Sequence, residues 1–174
     1  FQTLYLGGGT PSLLEGRQLK MLVEGVLDAL NVRASALQEV TLEANPEDIV
    51  PEKVEAWLEA GITRLSIGVQ SFHNDTLHWM NRAHDGGQAK NGIRLAHEMG
   101  IRHITMDLIY GVPTDRLWEE DLAQALDLPI EHLSAYSLTV EPNTVLGTRV
   151  SKGHATKPCD ERTVLEYLSL IHIS

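Results

Sequence analysis

Fourteen basic residues against 24 acidic ones give this 174-residue chain a formal net charge of −10, which argues against a protein that tracks nucleic-acid phosphates. Cys159 is the only cysteine, so no disulfide framework and no iron–sulfur site can be built from the chain's own thiolates. No apolar stretch is long enough to span a bilayer and nothing at the start reads as a secretion signal, so one domain or part of one, soluble and cytoplasmic, is expected.

The first predicted strand, Thr3 to Leu6, runs into Gly7-Gly8-Gly9 and then Thr10-Pro11, which are suited to open a helix as N-cap and first residue. Such a turn either exposes its backbone to a ligand or is a plain glycine-rich connection. Leu14, Leu19, Leu22, Val23, Val26, Leu27 and Leu30 then recur at helical spacing. Glu39 to Glu43 reads as a strand, Pro51 to Ala60 as a helix stopped by Gly61, and Arg64 to Val69 as the next strand. Helical stretches follow at Asn74 to Met80 and Gln88 to Met99, with Gly100 ending the second. Strand Arg102 to Leu108, helix Leu117 to Leu128 and strand His132 to Leu138 complete the series. Alternating strands and helices predict an α/β fold with a parallel sheet over residues 1–142. Beyond Pro142 the pattern fades, and residues 143–167 read as a polar connector.

Successive strand residues point to opposite faces. Thr41 and Glu43, then Ser66, Gly68 and Gln70, then His103, Thr105 and Asp107 share one face; the intervening residues are apolar. The apolar face must meet the helices, which leaves the small or polar face to line an open, partial barrel or to contact solvent. The polar residues gather at the carboxyl ends of the strands, where folds of this kind bind ligands.

Five strand ends are therefore expected to converge: Gly7 to Thr10, Glu43 to Pro46, Gln70 to Phe72, Asp107 to Gly111 and Tyr136 to Glu141. Bare backbone, two carboxylates, an amide and a phenol suit a nucleoside with a charged tail. Glu43 and Asp107 could equally be paired with arginine for structure alone. No Ser-His-Asp arrangement or Walker-type lysine loop is visible. His73, His78 and His84 lack metal-ligand spacing and read as surface residues.

In their order and spacing, LGGGTPSLL, TLEANP, RLSIGVQSF, NRAHDGGQA, DLIYGVP and YSLTVEPNTVLG resemble the radical S-adenosylmethionine proteins related to oxygen-independent coproporphyrinogen III oxidase, particularly their heme chaperone branch. The resemblance runs from Phe1 to about Gly147. It implies a partial (β/α)6 TIM-like barrel that uses S-adenosylmethionine and a [4Fe-4S] cluster. It also assigns Gly8, Gly9 and Thr10 to the methionyl end of S-adenosylmethionine, and Glu43, Gln70, Arg82 and Asp107 to further cofactor contacts. Arg82 comes from the resemblance alone, since a helix-borne arginine is usually a solvated charge.

Two functions are implied: a chaperone that binds heme and transfers it to an acceptor protein, or an enzyme that oxidatively decarboxylates coproporphyrinogen III. IGVQSF with EPNTVLG favours the chaperone, because the decarboxylase more often carries an acidic residue where Ser71 stands. The family's CxxxCxxC cluster loop lies upstream of the glycine turn, and its heme-associated histidine motif lies downstream of this stretch. The chain is thus expected to be an internal stretch of a longer protein. Residues 168–174 resemble translated sequencing-adapter read-through.

Overall fold

The computed structural model describes residues 1–171. The first ten of twelve elements follow the predicted order and the last two, α6 and α7, lie outside that prediction: β1 (Thr3–Leu6), α1 (Gly16–Ala29), β2 (Glu39–Ala44), α2 (Pro51–Glu59), β3 (Arg64–Gln70), α3 (Asn74–Trp79), α4 (Gly86–Glu98), β4 (His103–Tyr110), α5 (Trp118–Leu126), β5 (His132–Ser137), α6 (Val145–Ser151) and α7 (Asp160–Ile171). The strands form one parallel five-stranded sheet in the order β1-β2-β3-β4-β5, with β1 and β5 at its edges. Sequential parallel strands with helical crossovers are the geometry of a (β/α) barrel.

Side-chain alternation decides which face is covered. Leu42, Leu65, Ile67, Ile104, Met106 and Leu108 are fully buried and join Leu19, Val54, Trp57, Ile93 and Trp118 in a single apolar core. Register runs Glu43, Ser66 and Thr105 in one row across β2, β3 and β4, and Gly68, Asp107 and Ser134 in another across β3, β4 and β5. The polar positions therefore form continuous rows on the other face.

Two local expectations are corrected. Thr10 and Pro11 do not open α1; they open a single 3₁₀ turn, Pro11–Leu13, and Thr10 makes no side-chain capping bond. Instead its hydroxyl donates to the Gly9 carbonyl at 2.8 Å. The Ser12 hydroxyl donates to Asp48 Oδ2 at 2.7 Å, and Lys53 Nζ reaches both the Ser12 carbonyl and Asp48. These bonds draw the turn against the segment after β2, so the helix starts only after an extended Leu14, at Gly16.

Residues 143–167 are not a featureless connector: they contain α6 and most of α7. The sole fully buried residue of α7 is Glu166, so a buried charge helps to dock this helix, beside Tyr167 against Tyr110. Of the supposed read-through stretch, Leu168 to Ile171 form the end of α7 and Leu170 packs against the core, while residues 172–174 lie outside the described residues.

Candidate functional site

At the carboxyl ends of the strands a polar cavity of about 270 Å³ opens on the inner face of the sheet. Gly9 and Thr10 reach it from the turn after β1, Glu43 from β2, Gln70 from β3, Asp107 from β4, and Arg82 from the loop between α3 and α4. Asn45, Ser66 and Gly68 complete its polar wall. Gly8 stands behind this wall: its N–H donates to Glu43 Oε2 at 2.9 Å, and the Tyr5 hydroxyl donates to Oε1 at 2.8 Å. Gly8 and Gly9 have φ of +78° and +64°, in the left-handed region that favours glycine.

Gln70 arrives by an irregular route. The β3–β4 register slips between Gly68 and Gln70, leaving Gln70 opposite the outward-facing Leu108. A φ of +70° turns its side chain back over Gly68, where a β-carbon would stand 2.8 Å from Gln70 Nε2. The Ser71 N–H returns to the Val69 carbonyl at 2.9 Å, closing a three-residue turn of the rarer, strained kind. Bulges of this type re-aim side chains beside functional sites.

The charges in the cavity are uncompensated. Among the described residues, neither Glu43 nor Asp107 forms an ion pair with arginine, and Arg82 has no carboxylate within pairing distance. Burial raises the pKa of Asp107; Ser134 alongside opposes this, and the Glu43 charge adds to it. Burial also lowers the Arg82 pKa, with Glu47 opposing. Such groups are costly to desolvate without a partner, which is the electrostatic signature of a binding site.

Several features escape sequence reasoning. The fifth strand end does not join this cavity; Leu138, just beyond β5, lines a neighbouring one. His84 is no surface residue: it is 4% exposed, between Glu47 and the Val69 carbonyl. Ser71 is fully buried and turned away from the cavity, with its hydroxyl on Asp121 at 2.8 Å. Arg116 bridges Asp121 (2.8 Å) and Glu166 (3.2 Å), and Glu166 accepts from the Gly111 N–H at 2.6 Å. This charge network ties the ends of β3 and β4 to α5 and α7. No spacing rule announces it, because its bonded partners lie up to 55 residues apart.

Against this geometry, the sequence pattern of the radical SAM superfamily matches residues 1–126. The chain belongs to the radical SAM superfamily. Within it, the chain is 43% identical over 150 residues to the heme chaperone HemW of Escherichia coli, covering 85% of this chain and 39% of that protein. It is 39% identical over 168 residues to the heme chaperone HemW of Bacillus subtilis, covering 95% of this chain and 44% of that protein. It thus spans less than half the length of these radical SAM relatives. In fold it is similar to the coproporphyrinogen III oxidase HemN of Escherichia coli, a radical SAM enzyme, with a TM-score of 0.83 at 24% identity over 98% of this chain and 39% of that one. The expected barrel architecture and family resemblance are therefore both borne out.

Proposed function

We propose that this radical SAM chain forms the S-adenosylmethionine-binding part of a heme chaperone, a protein that holds heme and passes it to an acceptor protein. The observation that carries the reading is the 43% identity to a heme chaperone over 85% of the chain, with a polar cavity whose residues all fall within the radical SAM match at 1–126. The donor set of the cavity suits the cofactor. Left-handed Gly9, with Thr10, offers backbone groups to the methionyl end, and Gly8, assigned to the same end by the resemblance, supports Glu43 from behind. Glu43 and Asp107 accept from the nucleoside hydroxyls, Gln70 presents an amide, and Arg82 meets the carboxylate. Hydrogen bonds to charged groups contribute about 1.5–3 kcal/mol each, so a few account for micromolar binding.

Held by these residues, S-adenosylmethionine would supply a sulfonium centre open to reductive chemistry. The chain's own residues bind and orient it and exclude water from the strand ends. Uncompensated carboxylates and a partly buried guanidinium hold the cavity ready for a ligand bearing both donors and a carboxylate. The residues here do not suit the [4Fe-4S] cluster. Clusters are held by several thiolates, whereas Cys159 is single, exposed and lies between α6 and α7. No step of this chain is assigned to the cluster.

Among the described residues no helix is long and apolar enough to cross a membrane. The cytoplasmic reading and the acceptor protein belong to this proposal. The test compares heme with coproporphyrinogen III in the full-length protein under anaerobic conditions, with cluster, S-adenosylmethionine and reductant. Stoichiometric heme binding with coproporphyrinogen III left intact is expected. Multiple-turnover formation of protoporphyrinogen IX would transfer the assignment to the decarboxylase.

A further inference from the structure

Arg82 belongs to two walls. Behind it, away from the polar cavity, lies a second cavity of about 330 Å³ at the carboxyl ends of β4 and β5. Its character is different. Met80, Ile109 and Leu138 line it from the barrel side, and Val145 and Leu146 line it from α6. The other cation on this largely apolar surface is Arg149 of α6. Among the described residues, neither guanidinium has a carboxylate within ion-pair distance. The chain as a whole carries a net charge of −10, so two arginines outside any ion pair beside an apolar wall mark a local reversal of sign.

An apolar wall with unpaired cations suits an amphiphilic anion, in which a flat hydrocarbon body occupies the groove and carboxylates meet the guanidinium groups. Arginine is well matched to carboxylate because its planar fork can donate two parallel hydrogen bonds. We propose that this second cavity seats one edge of the porphyrin macrocycle, with a propionate on Arg149 and the ring edge against Leu138, Val145 and Leu146. The inference rests on the heme chaperone reading and adds the place and polarity of the contact. Because Arg82 is shared, the seated edge would lie directly beside the cofactor cavity. The space is near the lower end of the roughly 300–1,000 Å³ typical of ligand pockets. It therefore takes an edge of the ring and leaves the rest accessible for hand-over.

The test uses the full-length protein and two metal-free probes, protoporphyrin IX and its dimethyl ester, titrated by absorbance. Without iron, axial ligation contributes nothing. Val145 is 79% exposed and the Arg149 side chain makes no internal hydrogen bond among the described residues, so neither substitution removes a contact that holds this stretch together, and unchanged urea midpoints of the variants check that the fold is kept. Arg149→Gln is expected to weaken the diacid about tenfold or more while barely changing the ester, in line with one lost charged hydrogen bond. Val145→Asp is expected to weaken both probes, and S-adenosylmethionine affinity should be unchanged in either variant. If both variants keep wild-type affinity for the diacid, or if heme binds and the metal-free diacid does not, the cavity assignment is overturned while heme binding stands. A protein that binds neither heme nor the diacid overturns the chaperone reading together with it. Turnover of coproporphyrinogen III would displace the chaperone reading alone, and the Arg149→Gln titration would still decide the cavity.

Discussion

His84 Nε2 lies 3.0 Å from the carbonyl oxygen of Val69, the same oxygen that receives the Ser71 N–H. A carbonyl only accepts, so the imidazole donates there, while Nδ1 faces Glu47 Oε2 at 3.0 Å. The ring thus braces the strained turn that aims Gln70. It also ties down the loop that carries Arg82, two residues earlier. His84→Ala should lower stability by about 1–3 kcal/mol, the cost of leaving a buried hydrogen-bonding group without its partner. It should also weaken S-adenosylmethionine binding although His84 does not line the cavity. Urea denaturation and calorimetry on the full-length protein check the two effects separately; unchanged cofactor affinity would count against the bracing role.

Asp107 is the carboxylate whose environment is the more revealing. Asp107→Ala should weaken S-adenosylmethionine binding by about 1.5–3 kcal/mol, some ten- to a hundredfold. Calorimetry on the protein with its cluster reconstituted measures this directly. An unaltered affinity would remove Asp107 from the cofactor site.

The same residue predicts a pH effect on stability. Burial raises the Asp107 pKa above its ordinary value, so the folded chain holds this proton more tightly than the unfolded chain. The associated stability is fully present below the unfolded value of about 3.9 and is lost as pH rises through the higher folded value. Asp107→Asn carries no titrating group there. Its melting temperature relative to the unaltered protein should therefore climb with rising pH across that interval and then level off. A gap that stays constant with pH would show that the carboxylate is not held in an unfavourable environment.

The buried network at the far side of the strand ends should be far less tolerant. Arg116 is almost wholly enclosed, and its charge is met by Asp121 and Glu166. Removing one partner leaves a buried cation with a single carboxylate and an unpaired guanidinium N–H. Asp121→Ala should therefore cost about 3–5 kcal/mol, read as a large drop in the urea midpoint. Glu166→Ala should cost a similar amount and also release α7, exposing the Gly111 amide to hydrogen exchange. A loss below about 1 kcal/mol, the range of exposed ion pairs, would mean that water already reaches Arg116.

Much of the architecture is determined by the sequence itself. Strand alternation from Val40 to Glu43, Leu65 to Val69 and Ile104 to Leu108 separates a helix-facing side from a polar one, because a pleated backbone leaves no other arrangement. Once the strands are parallel and sequential, Glu43 and Asp107 must lie on the same inner face at the same end. What only the tertiary structure decides depends on distance and on departures from regularity. Strict alternation would put Gln70 on the inner face, yet the slipped register puts it opposite Leu108, and only the left-handed turn braced by His84 brings it back. Arg82 enters the cavity because its loop folds over the strand ends, which no periodicity encodes. Helix α7 docks through Glu166 onto Arg116 and Gly111, a buried charge contact that joins Tyr167 against Tyr110 and Leu170 against the core. Regular hydrogen-bonded elements announce themselves through local spacing, whereas bulges, loop closures and buried ion networks arise from residues that meet only after the chain has folded.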